Sequence, residues 1–220
     1  MRADRILRDA ASIAIATAIY AVSFGVLSVA AGLSVAQTCA LSALTFTGAS
    51  QFTFVSIVSA GGGYAAAIPP ALVLAARNTI YALSLRSVVR GGRAQRALDA
   101  HLVIDESTAM AHAQADPPDK RRAFLTTGLL IFVFWNGGTA VGALAGGVLA
   151  DPRDLGLDAI FPAVFLALLA PQLRRAGAVP AAVGGAVIAL ALLPISSAGV
   201  PVMVSVLAAV PVLFAVRRRR

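Results

Sequence analysis

The sequence predicts an all-α polytopic membrane protein with about six or seven hydrophobic segments, one of which, at residues 35–60, forms a re-entrant or broken helix hairpin. Of its 220 residues, 59% are apolar and 13% are charged, which is about half the charged share of a typical water-soluble domain. Its uncharged runs also reach the length that a hydrocarbon core of about 30 Å requires. We therefore expect a single transmembrane domain over residues 1–220, with a cytoplasmic loop at residues 86–122 within it.

The hydrophobic segments follow one another along the chain. Four of them are uncharged runs long enough to cross a membrane, two are shorter, and one is interrupted by a single arginine, Arg77. In chain order they cover residues 12–31, 35–60, 65–85, 123–150, 157–170, 177–194 and 200–216.

Basic residues cluster between these segments and predict which side of the membrane each loop faces. They occur near the N-terminus, within residues 86–122, at Arg174 and Arg175, and at residues 217–220. Because loops rich in arginine and lysine stay on the cytoplasmic side, both termini are predicted to be cytoplasmic. The same distribution favours contact of the basic residues with the lipid bilayer over contact with nucleic acid.

The prediction of a hairpin at residues 35–60 comes from counting membrane crossings. If every segment crossed once, the Arg-rich residues 86–122 would lie outside, against the positive-inside rule. A hairpin that enters and leaves by one face places every Arg-rich segment inside and the acidic loop at 151–158 outside. The alternative is a single long, tilted helix that packs through small residues.

The middle of this segment reads LTFTGASQFTF and carries polar residues where the bilayer makes them most costly. Two half-helices of about a dozen residues, each rising roughly 18 Å, would meet there in a turn. Broken backbone at that depth is tolerated where it lines a cavity, and the returning half-helix offers free N–H groups to an anion. Thr47, Gly48, Ser50 and Gln51 are therefore predicted to bind substrate, with Ser50 as the cap of the second half.

Two further positions are candidate substrate ligands. Arg77 lies about eight residues inside its segment, where an unpaired charge costs several kcal/mol, so it is either functional or extended to the cytoplasmic headgroups. Asn78 follows it, and Pro69 with Pro70 predicts where their helix starts. Asn136 is the other candidate, and it precedes glycines at spacing four that predict close helix packing, namely Gly138, Gly142 and Gly146.

The predicted cytoplasmic loop contains a short helix-prone stretch, HLVIDESTAMAHA. Asp105 and Glu106 in this stretch are candidates for proton coupling, although a solvated helix on the membrane surface is an equal alternative. His101 and His112 stand eleven residues apart, a spacing that does not suit a metal site. Catalytic motifs are also missing from the sequence, so we expect no enzyme activity, no cofactor and no metal.

Five motifs in this order, SFGVLSVAAGLS, FTGASQF, AARNTIYALSL, VIDESTAMA and LGLDAIFPAVFLALL, resemble the AzlC family of branched-chain amino-acid export permeases. The resemblance covers about residues 12–172. It implies a multi-pass protein of the bacterial inner membrane that works with a small AzlD-type membrane subunit and exports valine, leucine, isoleucine or similar amino acids. The chain departs from the family at Ala75, where members often carry asparagine.

Three functions follow as hypotheses. The first is a secondary transporter, driven by the proton gradient, that exports a small neutral amino acid. The second is a passive channel or facilitator for another small solute. The third is a non-transporting membrane subunit of a complex.

Overall fold

The computed structural model describes residues 2–148, 163, 166, 169, 170, 172–174, 177–197 and 199–218, and all the regular secondary structure in them is helical. Three helices are long and apolar enough to cross a membrane, at Ala3–Ala30, Tyr64–Ser84 and Pro117–Gly147. Shorter apolar helices follow the pattern of the remaining segments, so the prediction of an all-α chain is confirmed. The predicted acidic loop at 151–158, most of the segment at 157–170, and Arg175, Arg219 and Arg220 lie outside the described residues.

The described residues form two compact units. Residues 2–51 and 74–148 make up the first, and residues 52–73 together with those after 153 make up the second. Along the chain the helices are α1 (Arg2–Ala30), α2 (Val35–Leu44), α3 (Ala49–Ser59), α4 (Tyr64–Ala75), α5 (Arg77–Ser84), α6 (Arg93–His101), α7 (Asp105–His112), α8 (Pro117–Val148), α9 (Ala178–Leu192), α10 (Val200–Ser205) and α11 (Ala209–Arg218).

Helices α1 and α8 run parallel and pack through the predicted glycine series. A Cβ at Gly138 would lie 2.7 Å from Ala18 O, and one at Gly146 would lie 3.1 Å from Val26 Cα. From Gly138 to Gly146 on α8 the contacted residue on α1 advances from Ala18 to Val26. The two helices therefore run in the same direction. The prediction that these glycines permit close helix contact is confirmed. We call the end where both helices begin the Arg5 end and the opposite end the Gly146 end.

The segment at 35–60 is broken into α2 and α3, which we call the first hairpin. Residues 45–48 interrupt the helix, and Gly48 adopts φ 60°, a left-handed conformation that glycine tolerates best. In an unbroken helix residues 42 and 51 would lie about 13 Å apart along the axis. Instead, Gln51 Nε2 donates to Ser42 O at 3.1 Å, so the segment does not continue as one straight helix through the break.

Two local details of the prediction are wrong. Helix α3 begins at Ala49, so Ser50 lies inside its first turn and not in the capping position before it. Helix α4 begins at Tyr64, and Pro69 and Pro70 lie within it, because Ala66 N and Ala67 N already bond Gly63 O at the true start. A proline inside a helix leaves a carbonyl without its N–H partner, which membrane helices accommodate through neighbouring groups.

Residues 93–112 form a second hairpin, made of α6 and α7, inside the predicted cytoplasmic loop. Leu102 at its tip packs on α8, where a Cβ at Gly128 would lie 2.9 Å from Leu102 Cβ. The end of α7 returns to the Arg5 end, where Met110 and Gln114 line a cavity with Arg5 and Asp9. Ser107, Thr108 and Ala111 are buried, so α7 is a packed helix and not a solvated one on the membrane surface.

A buried ion pair ties the second hairpin to the start of α8. Arg121 Nη1 donates to Asp99 Oδ2 at 2.9 Å and to Val88 O at 2.6 Å. Asp99 is fully buried and also accepts from Gln95 Nε2 at 2.8 Å. These bonds hold the chain between α5 and α6 at the Arg5 end. Helix α6 runs from there toward the middle of α8.

In the second unit, α9 packs on the helices at 200–218. Gly184 faces Ala208, and Gly185 faces Ser205. Gly199, ahead of α10, approaches the carbonyl of Ala66, where a Cβ would lie 2.8 Å from the oxygen. Pro70 lacks the N–H that would otherwise bond this carbonyl. The carbonyl of Ala66 therefore has no helical donor at the point where Gly199 approaches it.

Candidate functional site at the tips of two hairpins

The tip of the first hairpin lies halfway along α8. The ring of Phe46 packs edge-on against Phe132 with centroids 5.2 Å apart, and Phe132 stands at the middle of the 32 residues of α8. The indole of Trp135 covers Gly48, its Cη2 atom 3.7 Å from the position of an added Cβ. Each half of α8 spans roughly 24 Å, so the break lies deep within the helical unit, as the sequence predicts.

Gln51 joins the two halves of the first hairpin and keeps one polar atom free. Its Nε2 donates to Leu41 O and Ser42 O, both at 3.1 Å, at the C-terminal end of α2, where Leu41 O also accepts from the backbone N–H and the hydroxyl of Thr45. The side chain is 1% exposed, yet its Oε1 has no hydrogen-bond partner. A buried acceptor without a partner is costly, so this atom is suited to receive a donor from a bound molecule.

Thr47 and Ser50 flank Gly48 and hydrogen-bond each other through their hydroxyl groups. Ser50 is buried and Thr47 is half-buried. Both lie at the N-terminal end of α3, where the first backbone N–H groups of a helix lack intrahelical acceptors and the helix dipole favours negative charge. The structure thus gathers all four predicted residues of this stretch at one point.

The tip of the second hairpin meets the first from the opposite end. His101 Nε2 donates to Ala43 O at 2.8 Å, and because a carbonyl only accepts, Nε2 carries the proton. The imidazole also contacts Phe46 and Phe132, with ring centroids 6.0 and 5.6 Å away. Sequence pattern does not predict this role of His101, because its hydrogen-bond partner is a backbone atom far away in the sequence.

Other polar residues support the first hairpin from α8. Ser42 Oγ donates to Thr139 Oγ1 at 3.1 Å, and both side chains are fully buried. Asn136, predicted as a ligand, donates instead to Phe132 O of its own helix at 2.8 Å. No sequence signal separates Ser42 and Thr139 from the many small polar residues of membrane helices.

Arg77 and Asp105 form a second polar group. Arg77 Nη1 lies 3.1 Å from Asp105 Oδ2, and each side chain is about a third exposed. Seven residues further along each helix, Ser84 Oγ and His112 Nε2 are 3.0 Å apart. Helices α5 and α7 therefore run side by side in the same direction, and Arg77 is paired with the carboxylate of Asp105.

Neighbours of this ion pair are also polar and partly buried. The Oδ1 atom of Asn78 is buried without a hydrogen-bond partner. Burial raises the pKa of Glu106 above its ordinary value, and the nearby charge of Asp105 adds to the shift, while a backbone hydrogen bond and Arg77 oppose it. Glu106 therefore holds its proton to higher pH than an exposed glutamate does.

The part of the chain that the structure describes contains no candidate metal site. No three side chains of histidine, cysteine, aspartate or glutamate are grouped there to hold an ion. The polar atoms at both groups suit hydrogen bonding and charge pairing with an organic molecule instead.

Comparison with known proteins agrees with this arrangement of helices. The family model described as AzlC protein matches residues 12–149. An uncharacterized membrane protein of Archaeoglobus fulgidus is 34% identical over 184 residues, which cover 82% of this chain and 80% of that protein. An uncharacterized membrane protein of Helicobacter pylori is 26% identical over 155 residues, covering 70% of this chain and 68% of the relative.

A third relative carries a name that gives its location. The inner membrane protein YgaZ of Escherichia coli is 27% identical over 176 residues, covering 76% of this chain and 72% of YgaZ. No solved structure matches the chain significantly. Since the family model covers well over half of the sequence and the first relative matches most of it, this multi-pass chain belongs to the AzlC family of membrane proteins.

Proposed function

We propose that this chain is an inner-membrane permease that exports branched-chain or similar small neutral amino acids as a proton-coupled secondary transporter. The observation that carries the proposal is the tip of the first hairpin, where a buried Gln51 Oε1 without a partner lies halfway along α8. Membership of the AzlC family implies amino-acid transport and agrees with it.

The direction of the long helices supports a re-entrant first hairpin. Helices α1 and α8 run parallel, so both leave the same side of the membrane. Between them one helix, Tyr64–Ser84, is long enough to cross. This one crossing returns the chain to its starting side when each hairpin enters and leaves by a single face. The Arg-rich residues 86–122 then lie inside with both termini, in accordance with the positive-inside rule.

The chemistry of the tip suits both charges of an amino acid. Gln51 Oε1 is an acceptor for the ammonium group. The N-terminus of α3, with the hydroxyls of Thr47 and Ser50, suits the carboxylate, and Gly48 lets the ligand approach the backbone. Phe46 supplies apolar surface for a branched side chain. Asn78 and Asn136 are further polar candidates for the pathway.

In this proposal, the proton is bound and released at the contact between α5 and α7. Arg77 is held by Asp105 in this state, and exchange of that carboxylate for a substrate carboxylate would free Asp105 to take up a proton. Glu106 is the second candidate, because burial already favours its protonated form. The cycle would then exchange protons for substrate without ATP, for which the sequence has no site.

A small AzlD-type membrane subunit is the proposed partner. Helix α9 has no buried residue, and its exposed face carries Val183, Val187 and Leu190. An apolar face of this kind is available for van der Waals packing against another membrane helix.

The test is transport by the purified chain in liposomes loaded with labelled leucine, with and without the co-expressed subunit. Flux of leucine against its gradient when a pH gradient is imposed supports the coupled transporter. Flux only down the gradient indicates a facilitator. If leucine never moves, even with the subunit present, the proposal of transport by this chain is wrong.

A further inference from the structure

The C-terminal end of α2 offers a ring of acceptors at the meeting point of the two hairpins. Leu41 O and Ser42 O accept from Gln51 Nε2, and Ala43 O accepts from His101 Nε2. The C-terminus of a helix carries partial negative charge. Gln51 Oε1, buried and without a partner, belongs to the same amide whose Nε2 binds Leu41 O and Ser42 O, so a fourth acceptor lies beside these carbonyls.

We propose that this ring binds the ammonium group of the substrate and that His101 occupies its place when no substrate is present. The inference rests on the proposed function and identifies one half of its site. A primary ammonium has three donors and no acceptor, which matches Ala43 O and Gln51 Oε1. Neither atom carries a full negative charge, so a divalent cation has no carboxylate ligand here.

His101 is the resident donor that the substrate displaces. Its bond to Ala43 O links the tip of the second hairpin to the first, and its ring packs between Phe46 and Phe132. When the ammonium takes Ala43 O, this hydrogen bond between the two tips is broken and the imidazole loses its acceptor.

The chain provides its own reporter for binding at this place. Trp135 is the single tryptophan of the sequence, and its ring covers Gly48 at the tip of the first hairpin. Emission from Trp135 in the purified full-length chain can be titrated with leucine, with isoamylamine, which lacks the carboxylate, and with 4-methylpentanoate, which lacks the ammonium.

The decisive variant is His101→Phe, which keeps an aromatic ring between Phe46 and Phe132 and removes the donor. Because substrate no longer competes with a hydrogen bond, we expect the half-saturating concentration of isoamylamine to fall about two- to tenfold. The value for 4-methylpentanoate should not change. His101→Gln, which restores a donor, should return the amine to its wild-type value.

Equal or weaker amine binding by His101→Phe would overturn the proposal, because His101 would then not compete with the amine. A response to leucine together with that result would leave the proposed function intact. Absence of any response to leucine, measured by emission and by thermal unfolding, would instead count against the proposed function itself.

A second measurement uses the wild-type residue, in case His101→Phe does not fold. In a His112→Gln background, His101 is the one remaining histidine. With labelled histidine, isoamylamine should shift the NMR signal of the His101 Nε2 atom, because displacement breaks its hydrogen bond to Ala43 O. An unchanged signal at saturating amine would contradict the displacement.

Discussion

At the scale of single residues, the site depends on side chains that donate hydrogen bonds to backbone carbonyls where a helix ends. At the end of α2, Gln51 Nε2 donates to Leu41 O and Ser42 O, and His101 Nε2 donates to Ala43 O. Such groups would cost about 1–3 kcal/mol each if left buried and unpaired. The same two side chains also bring the tips of both hairpins together, so stability and the candidate site share their atoms.

Asp99 provides a test of stability away from that site. We expect Asp99→Asn to lower the free energy of unfolding by about 1 to 3 kcal/mol, because it removes the negative charge that pairs with Arg121, whose side chain is 29% exposed. The matched control is Asp9→Asn, whose partners Arg5 and Arg8 are exposed and lie 3.7 and 3.8 Å away; exposed pairs contribute about 0–1 kcal/mol. Thermal unfolding in detergent measures both variants, and equal shifts would contradict the role of Asp99.

Glu106 makes stability depend on pH. Its pKa is raised in the folded protein from an ordinary value of 4.5, so the folded state binds the proton more tightly than the unfolded state. The stabilisation is therefore complete below pH 4.5 and is lost as pH rises through the raised pKa. Glu106→Gln should remove this loss. Unfolding midpoints across the pH range would show it, and an unchanged pH profile in the variant would rule Glu106 out.

At the scale of helices, the contact between α1 and α8 depends on glycine. A Cβ at Gly142 would lie 2.8 Å from the carbonyl carbon of Val22, whereas one at Gly137 would meet no atom within 4 Å. We expect Gly142→Ala to lower the unfolding midpoint and Gly137→Ala to keep or raise it, because alanine favours helix by about 1 kcal/mol. If both variants have the wild-type midpoint, the two helices do not pack as closely as described.

Much of this arrangement could be predicted from patterns that repeat along the chain. Apolar runs predicted the long helices, and glycines at spacing four predicted the contact of Gly138, Gly142 and Gly146 with α1. The polar centre around Gly48 predicted the break in the first hairpin. These features are local in sequence, so periodicity and spacing are enough to find them.

The second hairpin could not be predicted in the same way. Its charged residues resemble those of a solvated loop, and the contacts that hold it are distant in sequence. His101 bonds a backbone oxygen 58 residues away, and Arg121 bonds Asp99 across 22 residues. Neither helical periodicity nor composition distinguishes Asp99 or His101 from an exposed residue.

At the scale of the whole molecule, the proposed topology has a direct test. In a Cys39→Ala background, Gly62→Cys places the single thiol in the turn before α4. Arg93→Cys places it at the exposed start of α6. An impermeant maleimide added to intact cells should label residue 62 and not residue 93, because the re-entrant hairpin puts residue 62 outside. Labelling of residue 93 with protection of residue 62 would reverse the topology.

The central claim is that the tip of the first hairpin binds the transported amino acid, and leucine efflux from cells expressing Gln51→Ala tests it most directly. A lost hydrogen bond to a charged group costs about 1.5–3 kcal/mol, so efflux should fall roughly ten- to hundredfold at equal membrane abundance. The matched control is Gln37→Ala, which removes an exposed glutamine of the capping box with Ser34 at the start of α2 and should retain wild-type efflux. Near-wild-type efflux by a well-expressed Gln51→Ala protein would contradict the account.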